Sequence, residues 1–113
     1  MDIPTTLKGW CELLHDWEHH FIKRRGVPVG CVFIQGNEIH CWREPSTKGC
    51  WLIRSDITGV IGQLIAKYGH VVTKVTKSNE TGHKFVTRIG FYATGEDSTS
   101  IYYQIESLKH ARL

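Results

Sequence analysis

NETGHKFVTRIGF, residues 79–91, is the stretch on which the reading of this chain turns. It is too polar for a buried strand and too short for a helix that stands alone. Yet it carries helix punctuation at both ends. Ser78 or Asn79 can cap the start, Glu80 sits in the first turn where the helix dipole favours an acid, and Gly90 follows the last turn as the residue that closes a helix. Phe85 and Ile89 are four apart and share one face. The spacing predicts a short capped helix lying on a sheet.

The neighbours extend that picture. VVTKVTK, from Val71, alternates as a strand does, and GFYAT, the turn GEDS and SIYYQIE read as a closing hairpin. Upstream, Ile57, Val60, Ile61, Leu64, Ile65 and Tyr68 form one stripe of a helix over 56–68, with Ser55 or Asp56 as cap and Gly69 as stop. VGCVFI, EIHCWR and CWLIR are short apolar runs broken by turn residues, which predicts three strands in an antiparallel meander. Trp10, Leu13, Leu14, Trp17 and Phe21 fall at helical steps, and Lys23-Arg24-Arg25-Gly26 supplies a basic last turn and a stop, so a helix is expected over 6–25. The order is helix, three strands, helix, strand, helix, two strands. That is an α+β fold, or layered α/β, with helices covering a mostly antiparallel sheet.

The 113 residues contain no linker-like stretch, so they read as one domain, with the helix over 6–25 and a core over 29–113. A composition of 41% hydrophobic and 22% charged residues excludes a disordered chain. No apolar run reaches the roughly 18 residues of a membrane span. The opening MDIPTTLKGW lacks a signal peptide's basic and apolar segments, so a cytoplasmic protein is expected. Cys11, Cys31, Cys41 and Cys50 contain no C-x-x-C pair and read as reduced, buried thiols. A zinc site from Cys31, His40, Cys41 and Cys50 would need spacings unlike the usual ligand pairs. His15-Asp16-x-x-His19 imitates a metal-binding H-E-x-x-H but reads as the solvated flank of the first helix. No metal is expected. The net charge of +3 gathers at Lys23-Arg24-Arg25, Lys74, Lys77, Lys84 and Arg88. It suits a nucleotide phosphate as well as it suits DNA, and no nucleic-acid motif accompanies it.

Asn79, Gly82 three positions on, Phe85 six on, and Ile89-Gly90-Phe91 resemble the fourth-helix signature of the GNAT superfamily of acyl-CoA-dependent N-acyltransferases, roughly N-x-x-A-x-x-[LF]-Y-x-x-[LI]-G-F. The order of elements over 29–113 is similar to that fold too, without its first strand and first helix, so the likeness is to an N-terminally truncated form. CWLIRSD, residues 50–56, together with the quoted stretch, is similar to acyltransferase-like internal virion proteins of short-tailed bacteriophages. The resemblance implies acetyl-CoA as cofactor and transfer of its acyl group to an amine. In the family one strand splays from the next and acyl-CoA lies in the gap. Matched here to 50–54, that strand would offer the backbone of Ile53 and Arg54 to the pantetheine arm. The pyrophosphate would rest on the opening of the next helix, at Thr58, Gly59, Val60, Ile61 and Gly62, and Asn79 is carried over as a further cofactor contact.

Two departures bear on activity. The family loop reads [RQ]-x-x-G-x-[GA], whereas Gly59 and Gly62 are three apart and Asp56 stands at the cation position, so phosphate binding in that register is weakened. The alternative role for both glycines is close packing of helix on sheet. Val86 occupies the position where the family often has a tyrosine to protonate the leaving thiolate. Glu44, Tyr92, Tyr102 and Tyr103 match a base by type alone, so no catalytic residue is assigned. The competing expectation is a non-catalytic descendant of the fold, an interaction or virion protein. Trp10, Trp17, Trp42 and Trp51 would then serve the core or an interface with a protein partner or a second copy.

Overall fold

Thr6 opens the first helix, its Oγ1 accepting from Gly9 N–H at 3.1 Å. The computed structural model describes residues 6–44 and 51–108. Within them α1 spans Leu7–Leu13, β1 Glu18–Arg24, β2 Val27–Gln35, β3 Glu38–Arg43, α2 Trp51–Tyr68, β4 Val71–Thr76, α3 Glu80–Ile89, β5 Tyr92–Glu96 and β6 Ser100–Ile105. This is the expected order, with two boundaries corrected.

The helix expected over 6–25 ends after two turns. Trp17 N–H bonds back to Leu14 O at 3.0 Å, and from Glu18 the chain is a strand paired with β2, from Glu18–Ile34 to Arg24–Val27. Long-range pairing overrides the helical stripe here, because β2 offers a partner over the whole segment and Ile22 gains a place in the core at 5% exposure. Gly26, read as a helix stop, is a hairpin turn residue. Arg25 and Gly26 have φ of 53° and 78°, the pair of positive values that a two-residue turn matching strand twist requires. His15 and His19 are therefore not one helical turn apart. His15 lies in the turn and His19 on β1.

The second correction concerns CWLIR. Residues 51–54 are the first turn of α2, while Cys50 lies outside the described residues. A short apolar run is ambiguous between strand and buried helix, and this one continues in helical register into Ile57, Val60 and Ile61. The three-stranded meander exists, but it is β1, β2 and β3.

The six strands lie in the order β1-β2-β3-β4-β6-β5. Every neighbouring pair is antiparallel except β3 and β4, which are parallel. One face carries Val32, Ile39, Val71, Val75, Tyr103 and Ile105, and packs on Ile57, Val60 and Ile61 of α2 and Val86 and Ile89 of α3. The other face carries Phe33, fully buried, with Trp10 of α1 stacked on it at 5.9 Å between ring centroids. α3 is capped as its residues require: Asn79 Oδ1 accepts from Gly82 N–H at 3.0 Å, and Gly90, at φ 120°, returns its own N–H to Thr87 O and Val86 O.

Candidate functional site: a cleft where two strands part

β3 is paired with β2 along its whole length, and β4 with β6 along its own. Between β3 and β4 the ladder holds at one pair, Glu38 with Val72. Local bonds reinforce that corner. Val72 N–H donates to Asn37 O at 2.9 Å, and the Asn37 amide donates to His70 Nε2 at 3.0 Å and His70 O at 3.4 Å. Thr73 Oγ1 donates to Ile39 O at 2.7 Å. That hydroxyl takes the carbonyl a ladder N–H would otherwise take, and past it the two strands separate. The sheet is thus two ribbons joined at one corner.

The gap is a cleft of about 440 Å³, inside the size range of small-molecule and cofactor sites. Its walls are Ile39 and Cys41 of β3, Val75 of β4, Ile57 and Ile61 of α2 and Phe85 of α3. Trp10, His40 and Lys74 reach it from the opposite side of the sheet, so it cuts through from one face to the other. A second hollow of about 200 Å³ shares Cys41, Asn79, Gly82 and Phe85 with it and extends it past Trp42 and Arg43. An extended ligand could lie along the strand edges that the parting exposes, with apolar walls on either side.

Ile61 and Asn79, both expected at the site, line the cleft. Ile53 and Arg54 belong to the first turn of α2 rather than to a strand edge. Thr58, Gly59, Val60 and Gly62 fall between the second turn and the start of the fourth, where backbone N–H groups are used within the helix; the mouth of the helix is at Trp51. Neither glycine is there for close packing. A Cβ on Gly59 would meet nothing within 4 Å, and one on Gly62 would make an ordinary 3.5 Å contact with Leu108. Asp56 is exposed, about 7.5 Å along the axis from the helix start at 1.5 Å per residue, so its carboxylate is not the residue that precedes the mouth. Residues 45–50, between β3 and α2, lie outside the described residues.

The residues named as possible bases are elsewhere. Tyr92 and Tyr102 are exposed, and their hydroxyls donate to Glu106 and, at 2.5 Å, to Asp97; each bond pushes the phenol pKa up. Tyr103 is buried and donates to His83 Nδ1 at 2.7 Å, because His83 Nε2–H is spent on Thr76 O at 2.9 Å. Glu44 N–H is held by Val29 O at the end of β3. None of the four lines the cleft, whereas Val86 does. The basic residues of this half of the chain are divided: Lys77 pairs with Glu96 at 2.5 Å, and Lys74 lies on the sheet face opposite α3, which carries Lys84 and Arg88. Among the described residues no three His, Cys, Asp or Glu side chains gather to hold a metal, and no helix is long and apolar enough to cross a membrane.

His40, which the sequence reading used only in a rejected zinc set, is the titratable imidazole in the cleft. Its Nε2 is 3.0 Å from Glu38 Oε2. Burial lowers its pKa, the Glu38 carboxylate pulls the other way, and Lys74 adds to the lowering. Desolvation pushes the thiols of Cys31 and Cys41 up to about 12. The signal for the cleft was available in the strands EIHCWR and VVTKVT, both correctly read; inserting a spurious strand between them hid that they are neighbours.

No protein-family model and no curated protein sequence matches the chain. Solved structures do. A Streptococcus mutans protein aligns over 96% of this chain and 82% of its own at TM-score 0.73 and 14% identity. An N-acetyltransferase from Staphylococcus aureus aligns over 95% and 80%, at 0.68 and 17%. The Campylobacter jejuni N-acetyltransferase PseH, solved with acetyl coenzyme A, aligns over 87% and 75%, at 0.65 and 19%. With six strands that part at β3 and β4 and helices laid across them, the chain has the GNAT acyltransferase fold.

Proposed function

We propose that the protein is an acetyl-CoA-dependent N-acetyltransferase whose cofactor lies between β3 and β4. The observation that carries this reading is the parting of the strands beyond Ile39, with an apolar cleft of about 440 Å³ behind it. The residues present fit the group in three ways. The edges of β3 and β4 offer backbone donors and acceptors to an amide-bearing arm, as an added strand would use them. The walls Ile57, Ile61, Val75 and Phe85 suit its methylenes. At the outer end Arg43 lines the hollow, and the first turn of α2 holds no acid to oppose a pyrophosphate. The sequence leading into α2, Ser46-Thr47-Lys48-Gly49, adds a cation, hydroxyls and a glycine. The phosphates would then meet the chain at the first turn of α2 and Arg43 rather than at 56–62.

When bound, acetyl-CoA supplies an acyl group activated as a thioester. The chain's part is to hold that group in a slot with apolar walls, reached by an amine from the face of Trp10, His40 and Lys74. The N-acetyltransferases it resembles in fold support the reading, PseH in particular because its structure holds acetyl coenzyme A.

Melting with and without acetyl-CoA tests the proposal. At 100 times the dissociation constant the ligand adds about 2.7 kcal/mol to the folded state, which for a domain of this size raises Tm by roughly 10 °C. ATP at equal concentration serves as the phosphate control. An absent shift at millimolar acetyl-CoA would reject the cofactor and leave the interaction protein, virion-associated or otherwise, as the better account.

A further inference from the structure

Glu38 and His40 are two residues apart on β3 and project from the same face of the sheet. Their side chains meet at 3.0 Å, Nε2 to Oε2. A carboxylate only accepts, so Nε2 carries the proton, and in the neutral ring Nδ1 is left with its lone pair. The ring plane is fixed from several sides. Trp17 lies against it at 5.2 Å between centroids and Trp10 at 6.2 Å, while Phe33 is its cross-strand partner on β2. Only about 13% of the His40 side chain is exposed, against 37% for Glu38. An imidazole so held cannot turn to exchange its nitrogens without breaking the bond to Glu38.

Its position matters as much as its tautomer. His40 follows Ile39, whose carbonyl takes the last contact between β3 and β4, so it stands where the cleft begins. A long ligand entering from the open end near Arg43 ends at that apex. Among the described residues lining the cleft, the other groups that could exchange a proton are Cys41 and Lys74. The Cys41 thiol is pushed up to about 12 by burial and holds its proton. An ammonium at Lys74 has donors and no acceptor.

We propose that His40 is the catalytic base of the acetyl transfer, and that Glu38 is a positioning residue that fixes the reactive tautomer. The inference rests on the acetyl-CoA reading of the cleft. The amine nitrogen forms a bond to the thioester carbonyl carbon and gives up a proton to His40 Nδ1. The C–S bond then breaks, its electron pair leaves on sulfur, and His40 returns the proton to that thiolate. The products are the amide and free CoA thiol, with His40 neutral again. One group moving one proton both ways accounts for Val86, which lines the cleft with no proton to give. The charged and titratable groups about the ring are Glu38 on its own strand, Lys74 on β4 and, in the same cross-strand row beyond Phe33, His19 on β1; α1 presents the uncharged Trp10.

The test uses the full chain, His40→Gln and Glu38→Gln. Nitrogen-15 spectra of imidazole-labelled wild type should give His40 as one tautomer, Nε2 protonated and Nδ1 bare, and Glu38→Gln should mix the tautomers. Acetyl-CoA should raise the melting point of wild type and of both variants alike. Thiol release from acetyl-CoA is then followed with a panel of primary amines: spermidine, glucosamine and peptides with free N-termini. Turnover should fall at least 100-fold in His40→Gln, and Glu38→Gln should displace the acid limb of the pH–rate profile. A protonated Nδ1 at neutral pH overturns the proposal. So does a His40→Gln protein that still takes up acetyl-CoA and turns over within threefold of wild type, an outcome that leaves the cofactor reading standing. A wild type that acetyl-CoA does not stabilise overturns the cofactor reading itself.

Discussion

Gly82→Ala is a sharp test of how α3 sits on the sheet. In an exposed helix this substitution stabilises by about 1 kcal/mol, because alanine has the higher helix propensity. Here the added Cβ would lie 2.6 Å from Asn79 Nδ2, 2.9 Å from Asn79 Cγ and 2.9 Å from Val75 Cγ1. Asn79 can swing aside, but its Oδ1 then releases Gly82 N–H and the cap is lost, at about 1 kcal/mol. Val75 has less freedom. It is 8% exposed on β4, whose backbone is held by β6 from Val71–Ile105 to Thr76–Ser100, and forcing a methyl against such a side chain costs about 1–3 kcal/mol. The cap loss cancels the propensity gain, and the overpacking remains. The expected result is net destabilisation of about 1–3 kcal/mol, a drop in Tm of roughly 4–12 °C. Thermal and urea unfolding of wild type, Asn79→Ala, Gly82→Ala and the double variant would measure it. In the double variant the Asn79 part of the clash is gone, so Gly82→Ala should cost about 1 kcal/mol less there than in wild type. A Gly82→Ala protein as stable as wild type, or more so, refutes the reasoning and detaches the small residue of the signature from packing.

Two further outcomes follow from the buried ionisable groups. With the buried Cys31 thiol pushed from 9.0 up to about 12, the native protein at pH 8 should alkylate at that site about 1000-fold more slowly than the urea-unfolded chain; peptide mapping after iodoacetamide reads this, and equal rates would contradict its burial. Burial lowers the His40 pKa below its usual 6.5, so as pH falls through about 6.5 the unfolded chain binds a proton that the folded chain resists, and stability falls with it. Tm measured from pH 7.5 to 5.5 should decline less in His40→Gln than in wild type. A separate loss begins below about pH 4.5, where the unfolded chain protonates Glu106 and then Asp97 while the hydroxyls of Tyr92 and Tyr102 hold both ionised in the folded one.

The parts of the fold legible in the sequence are those whose instructions are local. Asn79, Glu80 and Gly90 mark α3 at both ends within a dozen residues, and the structure places each in the role its chemistry suggests. The closing hairpin is equally local, with Asp97 accepting from Thr99 and Ser100 N–H at 2.8 and 2.7 Å to shape the turn. The strand from Glu18 to Arg24 was hidden because its residues also fit a helical stripe. What separates the two readings is the presence of β2 as a partner, seven residues of pairing that no local pattern in 18–24 announces. CWLIR failed in the opposite direction: an apolar run that looks like a strand is a helix start because its register continues into Ile57 and Ile61.

These two errors compensated in the element count, so the order survived while the cleft moved. A strand gained at 18–24 and a strand lost at 50–54 leave three strands before α2 in either reading. The strand facing β4 across the gap changes, however, from CWLIR to EIHCWR. With it changes everything that depends on which side chains line the cleft. The acid expected to stand against the pyrophosphate, Asp56, is an exposed residue in the second turn of α2, and the mouth of that helix is at Trp51. His40, formerly on a strand one place removed, becomes the residue at the apex. The proposed acyl-transfer chemistry belongs to these positions. Its fate depends on whether the tautomer that Glu38 imposes on His40 persists in solution, which the nitrogen spectra decide before any acceptor amine is known.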